Sequence, residues 1–389
     1  MVRDQGRTVT EPARETEVSG GFDVVVLGGG MAEIAASAAA GKAGASTLLV
    51  ERYGFLGDMG TAAGVTNFCG LHANIHGDIQ QVVHGVTDDL LGRIDRLGGL
   101  RTPHDVFGKT KAQAYDTAAF KIAADDLLLS SGVHILFHAI AAGVTMDGER
   151  QVAALLLETK SGRRAVLGRV FIDASGDGDL TMWAGAPWEL GDGKGGMLHP
   201  STMFRLNAVA AGAAEARAWK GIPAFMEAAE RDEGMRFLRK TPIIRPQKNS
   251  IEWRANVTQV TNPDGSPVDG TDAVQLSHGE IEGRRQIRDS FAFMRARVPS
   301  FRDAYIVDIP PQLGIRETRR VLGDYVSTEA DVLECASFND TIGVNGWPIE
   351  AHVAGDVLFK WQDIPNARGL KARDRTWVDA LRKDGPPRS

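Results

Sequence analysis

Near the start of the chain, VVVLGGGMAE (residues 24–33) supplies Gly28 and Gly30, the first two glycines of a G-x-G-x-x-G pattern. Glycine at the first place adopts a backbone shape that other residues resist, and at the second it lets the chain come close to a diphosphate. The helix that such a turn opens, here at Met31 and Ala32, points unpaired N–H groups and a partial positive charge at the anion. Glu51 closes the next apolar run, where a carboxylate accepts hydrogen bonds from the hydroxyls of an adenosine ribose. The chemistry implied is nucleotide binding. Glu33, however, stands where the third glycine belongs. Within about 5 Å of a phosphate charge, its carboxylate costs roughly 3 kcal/mol at an effective dielectric of about 20, or about two decades of affinity. Turned to solvent in the first helical turn, it is favoured by the helix dipole instead. The sequence leaves both outcomes open.

Arg316, Arg319 and Arg320 in GIRETRR have the planar fork that grips a carboxylate through two hydrogen bonds. They serve equally as a structural clasp between domains. His72 and His76 follow Cys69 with a spacing that suits two metal ligands on one helix face. CGLHANIHGD offers no further evident ligand, so no metal site is expected. His352 in WPIEAH reads as a core histidine. The chain has no G-x-S-x-G elbow, Walker loop or H-E-x-x-H, which leaves hydrolase and kinase chemistry without support.

These residues need elements to hold them. An apolar strand at 23–27, an alanine-rich helix at 31–43 and a strand at 46–50 make one βαβ unit, with the glycine turn at the carboxyl edge of a parallel sheet. Helical spacing recurs at 77–97 and 112–131, the second stopped by Gly132. Strand-like runs at 133–137, 139–146, 152–158 and 166–172, parted by the turns DGE and KSGR, predict an inserted antiparallel meander. Within 186–315 the texture changes, with a turn-rich TNPDGSPVDGTD and one long helix at 273–298 carrying Ile281, Ile287, Phe291 and Met294 on one face. The fold class expected is α/β: a Rossmann-like domain over 21–185 with a parallel sheet and inserted meander, plus a mixed α+β substrate or cap domain over 186–315. Residues 316–362 return to the first domain, while 1–20 and the charged 363–389 read as disordered tails.

Composition narrows the partners. Hydrophobic residues make up 43% of the 389 and charged residues 24%, a globular balance, and the net charge of -6 gives no reason to expect nucleic acid or an anionic membrane. The longest apolar runs are strand-sized, short of the roughly 20 residues that a membrane helix needs. A small-molecule substrate is the default partner, with a homo-oligomer or partner subunit possible, and the lack of a secretion signal implies a cytoplasmic location. Two cysteines, Cys69 and Cys335, are too few for a disulfide framework or a four-thiolate cluster and read as core packing.

Three segments, ERYGFLGDMGTAAG (51–64), VFIDASGDGDLTMWAGAP (170–187) and QLGIRETRRVLGDYVSTEADVL (312–333), resemble those of FAD-dependent oxidoreductases of the glutathione-reductase-like superfamily, in particular the bacterial family with an ERYGFLGG loop and a GIRETRR segment. The resemblance covers about residues 22–355. It implies noncovalent FAD and a redox reaction on an unidentified small organic molecule. Under it, Gly28, Gly30, Met31 and Ala32 face the pyrophosphate, Glu51 the ribose, and Arg52 the adenine end. Gly57, Asp58 and Met59 belong to the loop that passes the flavin, and Ile140 meets the adenine through its backbone. Ala174, Ser175 and Gly176 form a second glycine-bearing turn against the nucleotide. Arg316 and His72 are the catalytic candidates, His72 as a base or a covalent flavin link.

The sequence departs from that family at Glu33, at Asp58 (usually glycine) and after residues 346–352, where relatives run into a strand, a glycine turn and a helix closing over the flavin and this chain has a charged tail instead. Two alternatives follow: a degenerate or truncated relative with weak or no FAD binding, acting as a partner or binding subunit, and an NAD-dependent dehydrogenase of simple doubly wound type.

Overall fold

An apolar run followed by alanines dictates the first unit, because strand and helix each bury one side against the other. The computed structural model describes residues 8–75, 77–249 and 252–361. In it β1 (Val18–Leu27), α1 (Met31–Lys42) and β2 (Thr47–Val50) form a parallel βαβ unit, Val24 opposite Thr47 and Leu27 opposite Val50. The chain then passes through the short β3 (Asn67–Phe68), β4 (His72–Ile75) and β5 (Asp78–Gln81) to α2 (Val86–Arg96), β6 (His104–Val106) and β7 (Thr110–Ala114). α3 (Thr117–Ser130) leads back to β8 (Val133–Leu136), and β9 (Ile140–Asp147), β10 (Gln151–Thr159) and β11 (Gly162–Asp173) follow.

One six-stranded sheet results, ordered β8-β2-β1-β11-β10-β9. β8, β2, β1 and β11 run parallel, while β10 and β9 continue the same sheet antiparallel. The meander is therefore joined edge to edge with the parallel part through β11. β1 begins at Val18, earlier than expected, because Gly20, Gly21 and Phe22 are laddered onto β11; residues 18–20 belong to the sheet and not to a tail. Ile34, Leu49, Phe120, Leu127 and Ile94 form the main core between the sheet and α1–α3.

Two expected helices are shorter than their periodicity. Residues 78–81 pair with β4 across a turn at Gly77 (φ 99°), so α2 starts only at Val86. Residues 110–112 pair with β6 and 113–114 with β3, and α3 starts where the Asp116 side chain accepts from the Ala119 N–H at 2.8 Å. A local signal of helix was overridden by a sheet partner.

Beyond α4 (Asp179–Trp183) and β12 (Trp188–Leu190) lies the second unit: β13 (Met203–Asn207), α5 (Ile222–Glu233), β14 (Ile243–Pro246), β15 (Trp253–Asn256), α6 (Ala273–Arg297) and β16 (Tyr305–Asp308). Its antiparallel sheet, β14-β15-β13-β16, buries Phe204, Leu206, Ile244, Trp253 and Ala255 against Ile287, Phe293 and Met294. Ile281 is 67% exposed, contrary to the expected stripe. The buried face of α6 runs instead through Gly279, Gly283, Ile287 and Met294. Glycines lie on it because a β-carbon at Gly283 would meet the Thr202 hydroxyl.

The return comprises β17 (Arg319–Val321), paired with β12, then α7 (Glu329–Leu333) and the hairpin β18 (Ile349–Val353)–β19 (Asp356–Lys360). The hairpin stands where a charged continuation was expected; residues 363–389 lie outside the described residues. Cys69 and Cys335 form no disulfide and reach solvent, so neither is core packing. No helix among the described residues is long and apolar enough to cross a membrane.

Gly283→Ala should lower the free energy of unfolding by about 1–3 kcal/mol, against the helix-propensity gain expected for that change, because the added carbon overpacks Thr202. Urea denaturation of this variant beside Gly283→Ala/Thr202→Ala checks it, the double variant recovering most of the loss.

Candidate nucleotide-binding site

The carboxyl ends of β1, β2 and β11 meet in one crevice, since Leu27 is aligned with both Val50 and Asp173. The Gly28 N–H donates to Val50 O at 2.8 Å, and the Ala174 N–H to Leu27 O at 3.3 Å. The first and second glycine turns are thus neighbours. Gly28 has φ 109°, a shape reserved for glycine. Gly57 (φ 113°) donates its N–H to Gly29 O at 2.7 Å, tying the loop to the turn, and a short 3-10 turn over Asp58–Gly60 follows, containing Met59. Asp173 organises the second turn: its carboxylate accepts from Ser175 N–H and Oγ and from Thr181 N–H and Oγ1. Gly176 O in turn accepts from Thr318 Oγ1 at 3.1 Å. Glu51 is buried against Gly29 and accepts from the Tyr53 N–H at 2.7 Å, while its backbone O accepts from Ala139 N–H at 3.1 Å. That bond brings the exposed Ile140, one residue on, close to Glu51.

Met31 and Ala32 are exposed at the amino end of α1, and Glu33 is buried, 4% exposed. Its side chain does not turn to solvent. It folds back over the glycine turn, where the N–H groups of Gly30 and of Glu33 itself favour its charged form. One carboxyl oxygen blocks the place of a β-carbon at Gly28, and the other lies 2.9 Å from that of Gly30. Gly30 is the N-cap of α1, and its own lack of a side chain leaves it unable to cap the helix. Glu33 sits at the third helical position, from which a glutamate reaches back to the N-cap N–H. The chain has put its own carboxyl group where a phosphate would lie.

The surroundings are acidic. Burial pushes the Glu33 carboxyl up to about 8, helped by the charges of Asp58 and Glu51 and opposed by the two N–H groups. Burial also raises Glu51, Asp58 and Asp177, with Arg52 as the opposing cation for each. Arg52 packs over the Tyr53 ring at 5.2 Å. Tyr53 is bonded to Gln312, whose Nε2 donates to Asp58 at 3.1 Å.

Tested against FAD, the crevice offers a ribose-side carboxylate, two adjacent glycine turns and a helix amino end in the required order. The diphosphate position fits once one long side chain, Glu33, has rotated away.

Other sequence candidates lie elsewhere. His72 opens β4, not a helix, so the helix-face metal geometry does not arise; His76 lies outside the described residues. No group of three metal-binding side chains occurs among the described residues. His72 is buried, its Nδ1 lacks a partner, and burial lowers its pKa. Arg319 pairs with Asp179, and Arg320 with Glu189 and Glu317, so these two are the clasp. Arg316 differs: its Nη2 donates to Ser201 Oγ at 2.9 Å and its Nε has no partner. The capping role of Glu33, and the Tyr53–Gln312–Asp58 chain, escaped the sequence reading; the first was signalled by a glutamate three places after an N-cap glycine.

Residues 23–370 match a family model described as FAD dependent oxidoreductase. Among solved structures, the chain is similar to a geranylgeranyl bacteriochlorophyll reductase-like protein of Thermoplasma acidophilum, with 14% identity over 77% of this chain and 66% of that one and a TM-score of 0.46. It is also similar to an aromatic hydroxylase from angucycline biosynthesis (13% identity, 77% of this chain, 53% of that one, TM-score 0.43) and to a flavin-dependent brominase (14%, 78%, 70%, 0.44). The chain spans just over half the length of the hydroxylase and about two thirds that of the reductase-like protein. No curated protein matches the sequence.

The folded chain keeps a proton on Glu33 up to about pH 8 that the unfolded chain releases near 4.5. Stability therefore falls as pH rises between these values, by at most about 1.4 kcal/mol per unit. Urea midpoints from about pH 5 to about pH 8 should show wild type losing ground steadily to Glu33→Gln; a constant gap would refute the buried placement.

Proposed function

The chain belongs to the FAD-dependent oxidoreductase family, and from that we propose that it uses noncovalently held FAD to oxidise or reduce a small organic molecule. The observation that carries this reading is the adjacency of two glycine turns, a helix amino end and a buried Glu51 at one sheet edge. It also supports a place within the glutathione-reductase-like superfamily. FAD, the family's cofactor and this chain's, supplies the electron transfer when bound. The protein supplies position. In this reading N–H groups from Gly30 to Ala32 hold the diphosphate, Glu51 holds the ribose, and residues 174–176 flank the nucleotide. Arg52 and Ile140 line the adenine end, and the Gly57–Met59 loop passes the flavin.

Glu33 sets the terms of entry. With its carboxyl seated, the turn's donors are taken; a phosphate must displace it, and the carboxyls of Glu51, Asp58 and Asp177 add to the local negative charge. That occupied turn favours a second reading, a family member that holds FAD weakly and serves as a partner or binding subunit. The family match favours FAD over nicotinamide, which the third reading required.

Glu33→Ala should tighten FAD binding by about tenfold, the factor for about 1–1.5 kcal/mol of displacing the seated carboxyl from the turn, measured by flavin fluorescence quenching on titration. Wild type should show a flavin spectrum at saturating FAD. If neither protein retains flavin, the flavoenzyme reading fails; tight binding by the variant alone favours the second.

A further inference from the structure

The return from the second unit carries a stretch that the fold leaves bare. From 322 to 348, between β17 and β18, the only regular element is the five-residue α7, and no residue from Val321 to Asn345 is buried. Both ends of this arm are fixed: β17 pairs with β12, and the Gly346 N–H donates to Gly70 O at 2.8 Å. Its internal order is local. The Tyr325 hydroxyl donates to Asp331 at 2.7 Å, the Tyr325 and Phe338 rings meet edge-on at 5.3 Å, and the Thr328 side chain accepts from the Asp331 N–H at 3.2 Å. Apolar side chains reach solvent nonetheless. Tyr325 and Val326 are each 59% exposed, Val332, Phe338 and Val344 are exposed as well, and Ile342 is wholly so. Exposed apolar groups gathered in this way mark a surface that binds something.

The charge of the arm selects its partner. Residues 321–346 hold Asp324, Glu329, Asp331, Glu334 and Asp340 and neither lysine nor arginine. Glu329 is paired with Lys360, and Asp331 is spent on Thr328 and Tyr325. Asp324, Glu334 and Asp340 are exposed and form no ion pair among the described residues. A surface both acidic and apolar is complementary to a segment both basic and apolar. The chain contains one. Residues 368–383 carry six lysines and arginines against Asp374 and Asp379, with Leu370, Trp377, Val378 and Leu381 interspersed. That segment lies outside the described residues, but the point from which the chain leaves for it does not. The Lys360–Glu329 pair lays the end of β19 against α7, within the arm. The seven residues from Trp361 to Arg368 span up to roughly 24 Å, so the basic stretch starts within reach of α7.

We propose that residues 368–383 dock on the arm of the same molecule, their cations against Asp324, Glu334 and Asp340 and their apolar side chains against its exposed apolar groups. A single exposed ion pair contributes little, but several, joined with apolar burial and a short tether, hold a segment in place. The tether also decides between copies. A segment that departs beside its own arm meets it at a higher effective concentration than a second molecule supplies. The proposal does not depend on the flavoenzyme reading.

The test uses the full chain. A water-soluble carbodiimide, which joins an amine to a carboxylate with loss of water, is applied to an equal mixture of isotope-labelled and unlabelled protein, and the cross-linked peptides are identified by mass spectrometry. Lys371 or Lys383 should be joined to Asp324, Glu334 or Asp340, each cross-linked pair wholly labelled or wholly unlabelled. Pairs of mixed label assign the arm to the segment of a second copy, and cross-links that avoid all three carboxylates remove the docking; either result overturns the proposal. The variant Asp324→Asn/Glu334→Gln/Asp340→Asn changes only exposed side chains and adds no trypsin site. Relative to cleavage at its other sites, trypsin should cut it within 368–383 at least about fivefold faster than wild type, the protection lost with three exposed ion pairs. Equal relative rates in the two proteins also overturn the proposal.

Discussion

The position of β1 between β2 and β11 is the constraint on which the rest depends. Because Leu27 is aligned at once with Val50 and Asp173, three strands end at the same level and their loops are forced into one crevice. Ligand sites in open parallel sheets form outside the carboxyl ends of strands for this geometric reason. Every further feature hangs on it, from the bond that ties Gly57 to Gly29 to the Asp173 carboxylate that shapes the second turn.

Within that frame, one side chain decides the character of the site. Glu33 answers two demands, the unpaired N–H groups of an uncapped helix and the positive end of its dipole, and it does so from a buried position that penalises its charge. The surrounding Asp58 and Glu51 sharpen the penalty.

The first βαβ unit was legible because its signals were local and agreed: apolar run, glycine turn, alanine helix, acid. The limits of α2 and α3 were not, since residues 78–81 and 110–114 are strands only by virtue of partners distant in sequence. The stripe on α6 was misread at Ile281 because the helix packs closest where it has no side chain at all, at Gly279 and Gly283, and an apolar count is blind to that. Glu33 was noticed as an exception to a pattern; its seat in the turn was not foreseen, though a glutamate at the third helical position carries that possibility.

The seated Glu33 has a consequence for α1. A helix whose leading N–H groups face a carboxyl from its own third position needs no bound phosphate to offset its dipole, so α1 stands complete with the crevice empty.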